Sequence, residues 1–277
     1  MEFLKVSGAG NDFIALPEPE SPPSRRQIRA WCRRGLSVGA DGLFLLERRD
    51  DAVRMTYFNA DGGEAELCLN GARCAVRVAL ELDWVTGDVR LETGAGSLTG
   101  RDAEHGRIAV DAPLPGAPVR EIEVETDGQR LTIAAVTIGV PHWIVAWPEG
   151  LATAPVQDLG AVLRAHPSAG EAGANVSFVR FPTPHAMEIR TFERGVEAET
   201  LACGTGVLAA AAAGLATGSA RLPLEALTAG GFRLQIEGRS QAGEPSIWSL
   251  IGDARIVARG SLTPGASEFP AAAVWSS

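Results

Sequence analysis

The chain has 277 residues, of which 45% are hydrophobic and 21% charged, and its formal net charge is −9. This length suits one large domain or two of ordinary size, with enough apolar residues for a core in either case. The negative charge argues against nucleic acid or an anionic membrane surface as the main partner. The longest apolar run, residues 207–213, is too short to cross a bilayer. The opening "MEFLKVSGAGNDF" lacks the features of a secretory signal, so we expect a cytoplasmic protein.

Cysteine and lysine usage narrows the possible cofactors. The four cysteines, Cys32, Cys68, Cys74 and Cys203, form no C-x-x-C pair and follow no regular spacing. A disulfide framework or a zinc site is therefore not expected. Lys5 is the sole lysine, so it would have to form any pyridoxal phosphate Schiff base, and no P-loop motif is present. We expect an active site without metal or cofactor.

Short strand-like stretches rich in Val, Ile and Thr dominate the chain, and Gly, Asp and Pro separate them. We expect strands at 13–16, 41–47, 53–60, 88–96, 107–113, 130–139, 142–147, 175–181, 186–193, 232–238, 246–252 and 254–260. The segment "GAGSLTG" at 94–100 is interpreted as a turn between strands. Helices are expected at 24–34, 70–82, 156–165 and 204–216. This order predicts an α+β fold and not the strict alternation of a doubly wound sheet.

The chain divides near its middle into two halves that resemble each other. Pro113, Pro115 and Pro118 indicate a linker, which suggests one half at 1–115, joined by part of 253–277, and another at 116–252. The final stretch, 263–277, is interpreted as a loose tail. "EAELCLNGARC" in the first half resembles "EAETLACGTG" in the second. Each combines an acidic approach, Cys-x-[Asn/Thr]-Gly and an apolar helix, and places Cys68 and Cys203 alike.

A thiol at the start of a helix is suited to acid–base chemistry. The first helical turn has unpaired N–H groups and the positive end of the helix dipole, which lower a thiol's pKa and also bind carboxylates. A single cysteine there is more often a small buried apolar residue. The matched pair favours catalysis, because two thiols facing one Cα could remove a proton from one side and deliver one to the other. Cys32 and Cys74 are interpreted as packing residues.

Several motifs then resemble those of the diaminopimelate epimerase family over nearly the whole chain. They are "KVSGAGNDF", "GADG" at 39–42, "FNADGGEAELCLNGARC", "GVPH" at 139–142, "NVSF" at 175–178 and "ERGVEAETLACGTG". The resemblance implies two pseudo-symmetric domains, each a mostly antiparallel sheet or barrel around a central helix, with the active site in the cleft between them. It also implies conversion of LL- to meso-diaminopimelate for lysine and peptidoglycan synthesis, without pyridoxal phosphate. The implied partner is this amino acid. A homodimer is the expected assembly, although the sequence itself does not show the oligomeric state.

The resemblance assigns roles to individual residues. Cys68 and Cys203 would be the catalytic acid–base pair, with pKa values tuned by His142 and Glu193. The N–H groups of Leu69, Asn70, Gly204 and Thr205 would hold the reacting carboxylate. Other polar groups of the substrate would contact Asn11, Asn59, Asn175, Glu193 and Arg194. By chemistry alone, Asn11 and Asn59 could equally be turn residues, His142 a core histidine, and Glu193–Arg194 a surface pair. The donor fork of Arg194 suits a distal carboxylate.

Departures from the family pattern leave two further functions open. Leu69 stands where the fullest motif has glycine, which predicts strain if that backbone is left-handed. Val140 replaces a frequent Asn, Gly42 an occasional Gln and Ser7 a usual His, and "ERGVEAETLAC" is one residue longer than is common. One alternative is a related racemase or epimerase acting on hydroxyproline or a basic amino acid. Another is a non-catalytic amino acid binding protein with structural cysteines.

Overall fold

The structure is a computed structural model that describes residues 1–113, 119–126, 128–239 and 247–268. The described fold is mixed α+β and dominated by strands, which confirms the predicted fold class. Contacts divide the chain into two compact units, Met1–Arg101 with Ala254–Ser277, and Asp102–Asp253. Pro115, Pro118, the expected division at 115/116 and the last nine residues of the expected tail lie outside the described residues.

The first unit forms a curved sheet around one buried helix. Its strands are β1 (Glu2–Gly8), β2 (Asn11–Pro17), β3 (Gly42–Arg48), β4 (Val53–Asn59), β5 (Glu64–Ala65), β6 (Val89–Thr93), β7 (Gly96–Ala103) and β18 (Arg255–Ser261). They lie in the order β18-β1-β2-β3-β4-β6-β7, with β5 beside the far end of β4. Helix α2 (Leu69–Glu81) contacts β1, β2, β4, β6 and β18. Because strands from across the sheet all contact α2, the sheet curves around it.

The second unit has the same plan. Its strands are β8 (Arg107–Pro113), β9 (Arg120–Thr126), β10 (Gln129–Ile138), β11 (Val140–Ala146), β12 (Asn175–Thr183), β13 (Ala186–Glu193), β14 (Ala198–Thr200), β15 (Leu224–Thr228), β16 (Arg233–Arg239) and β17 (Ile247–Asp253). They run in the order β9-β10-β11-β12-β13-β15-β16-β17-β8, with β14 beside β13. Helix α4 (Gly204–Ala216) contacts β10, β11, β12 and β16.

Strand directions in the two units match step by step. In the first, β1/β2 is antiparallel, β2/β3 parallel, β3/β4 antiparallel, and β4 pairs antiparallel with β5 and parallel with β6. In the second, β10/β11, β11/β12, β12/β13, β13/β14 and β13/β15 repeat this series. Helix α1 (Arg25–Trp31) connects β2 to β3 as α3 (Val156–Arg164) connects β11 to β12. The similarity between the halves therefore extends from the cysteine motifs to the topology.

The four helices lie where the sequence predicts them, with small changes at their ends. Helix α4 has the predicted bounds, α2 begins and ends one residue earlier than predicted, and α3 ends one residue earlier. Helix α1 is shorter than predicted, because it ends at Trp31 and the chain turns through Gly35, whose φ is +79°. Ser24 caps it through a reciprocal capping box with Gln27.

Several strands of the structure were not predicted from the sequence. Strands β1, β5, β7, β9, β14 and β15 were not expected, and only residues 94–95 of "GAGSLTG" form a turn. The rest of that segment begins β7, where Gly100 passes so close to α2 that an added Cβ would lie 2.2 Å from a methyl group of Val76. Gly100 therefore serves close packing of a strand on a helix, so interpreting it as a turn residue was wrong.

Candidate active site

Both candidate catalytic cysteines occupy the N-cap position of a buried helix. Cys68 precedes α2 with φ −131° and ψ 113°, and Cys203 precedes α4 with φ −110° and ψ 109°. Each helix has thirteen residues and begins at the next residue. Cys203 is 7% exposed and Cys68 is half-buried. Each thiol therefore lies at the positive end of its helix, where the first N–H groups have no partner within the helix.

The glycine three residues after each cysteine lies against that cysteine. A Cβ built on Gly206 would lie 3.3 Å from both Cβ and Sγ of Cys203 and 3.2 Å from Oγ of Ser177. One built on Gly71 would lie 3.6 Å from Cβ of Cys68 and 3.2 Å from the methyl group of Met55. The glycines therefore keep side-chain bulk away from the two cysteines.

Leu69 is not strained, which corrects the expectation from its place after Cys68. It is the first residue of α2, whose right-handed backbone suits leucine, and its side chain is 3% exposed. The left-handed conformation that would favour glycine does not occur at this position. The backbone N–H groups of Leu69 and Asn70 therefore both belong to the first turn of the helix.

Asn11 and Asn70 meet in the first unit. Asn70 Nδ2 donates to Asn11 Oδ1 at 2.6 Å, and Asn11 Nδ2 donates to Asp41 Oδ2 at 3.2 Å. Arg73, whose side chain is entirely buried, donates through Nη2 to Asn70 Oδ1 at 2.7 Å. The side-chain amides of these two candidate residues are thus hydrogen-bonded to each other, with a cation at one end and a carboxylate at the other.

Asn59 lies at the end of β4 and begins a turn closed by two backbone hydrogen bonds with Gly62 and Gly63. Its Oδ1 accepts a 3.1 Å hydrogen bond from the hydroxyl of Tyr57. Tyr57 also explains Gly42, because an added Cβ there would lie 2.8 Å from its ring atom Cε2 and 2.9 Å from its hydroxyl. The space that a larger residue at 42 would need is therefore occupied by Tyr57.

In the second unit, His142 and Asn175 lie opposite each other on the parallel strands β11 and β12. Asn175 Oδ1 accepts a 2.8 Å hydrogen bond from the backbone N–H of Arg194, which fixes the backbone where the Arg194 side chain departs. His142 is fully buried, and neither ring nitrogen makes a hydrogen bond of normal geometry to any residue that the structure describes. Burial, and then the nearby Arg194 cation, lower the pKa of His142 from 6.5 to about 3, against a small opposing effect of the Ile138 backbone. The ring is therefore neutral near pH 7.

The segment between Arg194 and Cys203 is held at two points. The Thr200 hydroxyl donates to the Glu193 carboxylate, which joins the end of β13 to β14. Arg190 donates through Nε and Nη2 to the two carboxylate oxygens of Glu199, at 2.7 and 2.6 Å, and also to the Leu151 carbonyl at 2.7 Å. Such bidentate pairs have a defined geometry. They fix the approach to Cys203, whose Sγ lies 3.5 Å from the Thr205 hydroxyl.

A pair of buried hydroxyl groups supports the start of α4. Ser177 Oγ and Thr191 Oγ1 are 2.9 Å apart on the adjacent strands β12 and β13, and both side chains are at most 3% exposed. Ser177 is also the closest contact that an added Cβ on Gly206 would meet. The first turn of α4, which follows Cys203, therefore packs against two hydroxyl groups that are hydrogen-bonded to each other.

Some of these residues were not identified from the sequence. Arg73, Asp41, Tyr57, Ser177 and Thr200 each hold a candidate site residue or its helix. Arg73 carried the clearest signal, because it lies inside the cysteine motif on a helix with ten buried residues among thirteen. The contact of Tyr57 with Gly42 depends on strand register, which the sequence alone does not reveal.

Within the parts that the structure describes, no group of three or more His, Cys, Asp or Glu residues is placed to hold a metal ion. Among the described helices, none is long and apolar enough to span a membrane.

Comparison with known proteins identifies the family. The diaminopimelate epimerase family model matches residues 3–112 and 134–257. Diaminopimelate epimerase of Methanothrix thermoacetophila is 38% identical over 277 residues, covering 94% of this chain and 95% of the relative. That of Aquifex aeolicus is 37% identical over 252 residues, covering 86% and 90%. A probable proline racemase from Agrobacterium radiobacter K84 shares the fold, with a TM-score of 0.71, 19% identity and 99% and 97% coverage.

These matches confirm the expected isomerase class and diaminopimelate epimerase function. They cover both cysteine motifs, and together with the duplicated topology they show that the chain belongs to the diaminopimelate epimerase family.

Proposed function

We propose that Cys68 and Cys203 form the acid–base pair of a cofactor-independent epimerase that converts LL- to meso-diaminopimelate. One observation carries the proposal: the two cysteines occupy the same position, the N-cap of a thirteen-residue helix, in the two copies of a duplicated fold. A packing cysteine has no reason to recur at that position in both copies. The reaction requires the two thiols to approach one Cα from opposite faces.

The proton balance of the reaction is simple. A thiolate on one cysteine removes the Cα proton and becomes a thiol, while the C–H electron pair remains on the substrate as a carbanion. The thiol of the other cysteine then delivers its proton to the opposite face and becomes a thiolate. The protonation states of Cys68 and Cys203 are exchanged after each turnover, so the enzyme works in both directions.

The first turns of the two helices supply the electrostatic stabilisation. The α-carboxylate gains negative charge as the carbanion forms, so donors aimed at it stabilise the transition state more than the ground state. The N–H groups of Leu69 and Asn70 begin α2, and those of Gly204 and Thr205 begin α4. We assign these four groups to the reacting carboxylate.

Arg194 and Asn175 are assigned to the distal end of the substrate. The half-buried Arg194 side chain offers a fork of donors that suits a second carboxylate. Asn175 holds the backbone N–H of Arg194, so it acts on the substrate at least in part through Arg194. Asn59, oriented by the Tyr57 hydroxyl, is assigned to a polar substrate group.

His142 and Glu193 are assigned to the environment of the Cys203 thiol. His142 is neutral at working pH, so it does not stabilise a thiolate by positive charge. Its two ring nitrogens instead offer one donor and one acceptor in a buried space. Glu193 is anchored by the hydroxyl of Thr200, three residues before Cys203.

A second candidate substrate class is a different amino acid, such as hydroxyproline or a basic residue. The observation that favours it is Val140, a half-buried apolar residue at the start of β11, two residues before His142. A valine offers no hydrogen bond to a polar distal group.

Proton NMR of the reduced enzyme with LL-diaminopimelate in deuterated water tests the proposal. We expect loss of the Cα–H signal together with formation of the meso isomer. The matched control is Cys74→Ala, which removes a buried thiol from the same helix as Cys68 and leaves turnover intact. No exchange by folded, reduced enzyme contradicts the substrate assignment. Trans-4-hydroxy-L-proline, L-proline and L-arginine under the same conditions test the second class.

We also propose a cytoplasmic location and a homodimer. Two thiols that must stay reduced to work suit a reducing compartment. Cell fractionation tests the location, and sedimentation of the purified protein distinguishes a dimer from a monomer.

A further inference from the structure

We propose that Asp41 and Arg73 are positioning residues that together fix which way the side-chain amides of Asn11 and Asn70 face. This inference rests on the proposed function, since the backbone N–H of Asn70 is assigned there to the reacting carboxylate and Asn11 is a candidate substrate-binding residue. It arises from one continuous series of hydrogen bonds in the first unit, which we call the amide relay: Arg73, Asn70, Asn11 and Asp41.

The two ends of the amide relay have opposite and fixed hydrogen-bonding character. A guanidinium can only donate and an ionised carboxylate can only accept, whereas an amide can do both. Arg73 Nη2 therefore requires the oxygen of Asn70, at 2.7 Å. Asp41 Oδ2 requires the nitrogen of Asn11, at 3.2 Å. Between them, Asn70 Nδ2 donates to Asn11 Oδ1 at 2.6 Å.

The ends thus determine the orientation of both amides. If either amide rotated by 180°, it would present a nitrogen to a donor or an oxygen to an acceptor, and both of its relay contacts would become repulsive. The half-buried Asn11 uses one N–H and one oxygen lone pair in the relay. With the orientation fixed, its second N–H and second lone pair each point in one defined direction, which sets the donor and acceptor that it offers to a substrate.

The burial of the amide relay increases the effect. Arg73 is fully buried and Asn70 is 2% exposed, so water does not replace a lost partner at that end. Asp41 is exposed, and Arg34 Nη2 donates to its second oxygen at 2.7 Å. Arg34 is 60% exposed and also pairs with Asp12. The accessible end of the relay can therefore be altered without opening the core.

Asp41→Asn is the central test, because it keeps the size of the side chain but lets it donate or accept. We expect KM for LL-diaminopimelate to rise about tenfold, with kcat within threefold of the wild-type value. Asp41→Glu keeps an obligate acceptor and should remain within threefold for both constants. Asp51→Asn, in an exposed pair with Arg90, is the matched control and should leave both constants unchanged.

Arg34→Gln separates amide orientation from a general role of the charged cluster. It removes the ion pair of Asp41 but leaves the carboxylate that accepts from Asn11. If the relay sets the amide orientation, Arg34→Gln retains the wild-type KM while Asp41→Asn does not. Equal changes in the two variants, or a wild-type KM in Asp41→Asn, overturn the proposal.

A readout independent of turnover keeps this inference separate from the proposed function. The side-chain amide signals of Asn11 and Asn70 in a ¹⁵N–¹H NMR spectrum can be assigned by their loss in Asn11→Asp and Asn70→Asp. Both signals should shift or broaden in Asp41→Asn and stay unchanged in Asp51→Asn. Unchanged signals in Asp41→Asn refute the relay. Absence of turnover in the wild type refutes the proposed function and leaves this spectral test in force.

Discussion

Gly206 lies directly against Cys203, so that a Cβ added to the glycine would be 3.3 Å from the thiol sulfur. The same added atom would be 3.2 Å from the Ser177 hydroxyl, which belongs to a buried hydrogen-bonded pair and cannot easily move. A substitution here therefore displaces the cysteine. It does so at a helical position, where alanine is intrinsically favoured over glycine by about 1 kcal/mol.

Gly206→Ala should reduce kcat/KM by about tenfold or more while leaving the free energy of unfolding near the wild-type value, because small misplacements of a reacting group are costly. Steady-state kinetics and urea unfolding measure the two effects. Gly71→Ala is the matched variant, and it should lose less activity because it meets the mobile methyl of Met55. Full activity in Gly206→Ala would contradict a catalytic position for the Cys203 sulfur.

Gly42→Ala should lower the free energy of unfolding by about 1–3 kcal/mol, because the added Cβ overpacks against fixed atoms. It would lie 2.7 Å from the Phe58 carbonyl oxygen and 2.8 Å from the Tyr57 ring. Urea unfolding measures the change, with Gly265→Ala as the control, since the nearest atom there is 3.9 Å away. Equal stability of the two variants would show that Tyr57 does not restrict residue 42.

Arg194→Met should raise KM for LL-diaminopimelate strongly and leave the free energy of unfolding near the wild-type value. A charge-assisted hydrogen bond to a carboxylate is worth about 1.5–3 kcal/mol, which corresponds to roughly 10- to 100-fold in kcat/KM. Arg180→Met, which removes an exposed arginine of β12, is the control and should leave KM unchanged. A wild-type KM in Arg194→Met would favour a substrate without a distal carboxylate.

His142 should make the protein less stable in acid. Its folded pKa, about 3, lies below the ordinary value of 6.5, so the unfolded chain binds a proton that the folded chain does not. This contribution to stability is fully present above pH 6.5 and is lost as the pH falls towards 3, with a slope of up to about 1.4 kcal/mol per pH unit.

Urea unfolding at pH 5 and pH 7 checks this behaviour by comparing the wild type with His142→Asn. The pH-dependent loss should be smaller in the variant. His105→Asn is the control, because His105 is exposed and asparagine tolerates its φ of 61°. If His142→Asn and the wild type lose the same stability between pH 7 and pH 5, the pKa of His142 is not lowered by folding.

Predictions from the sequence were accurate for the helices, whose starts and ends depend on residues close together in the chain. Helix α4 has the predicted bounds because an alanine-rich segment follows a cysteine and glycines, and both candidate cysteines lie at the predicted helix starts. Strand β9 was not predicted, although apolar and charged residues alternate in "REIEVET". Its many charged residues made the segment resemble an exposed loop. Arg73 and Asn70 lie three residues apart on α2, so their contact is local. The rest of the amide relay was not predictable, because Asn11 meets Asp41 and Asn70 only after β2 has paired with β3 and packed against α2.

The measurement that tests the account most directly is Cα proton exchange by the single variants Cys68→Ala and Cys203→Ala in deuterated water, starting from each diaminopimelate isomer. Each variant should lose epimerisation and retain exchange only for the isomer whose Cα–H faces its remaining thiol. The two variants should therefore show opposite isomer preferences. Turnover by either variant at the wild-type rate, or the same preference in both, would contradict a two-thiol mechanism.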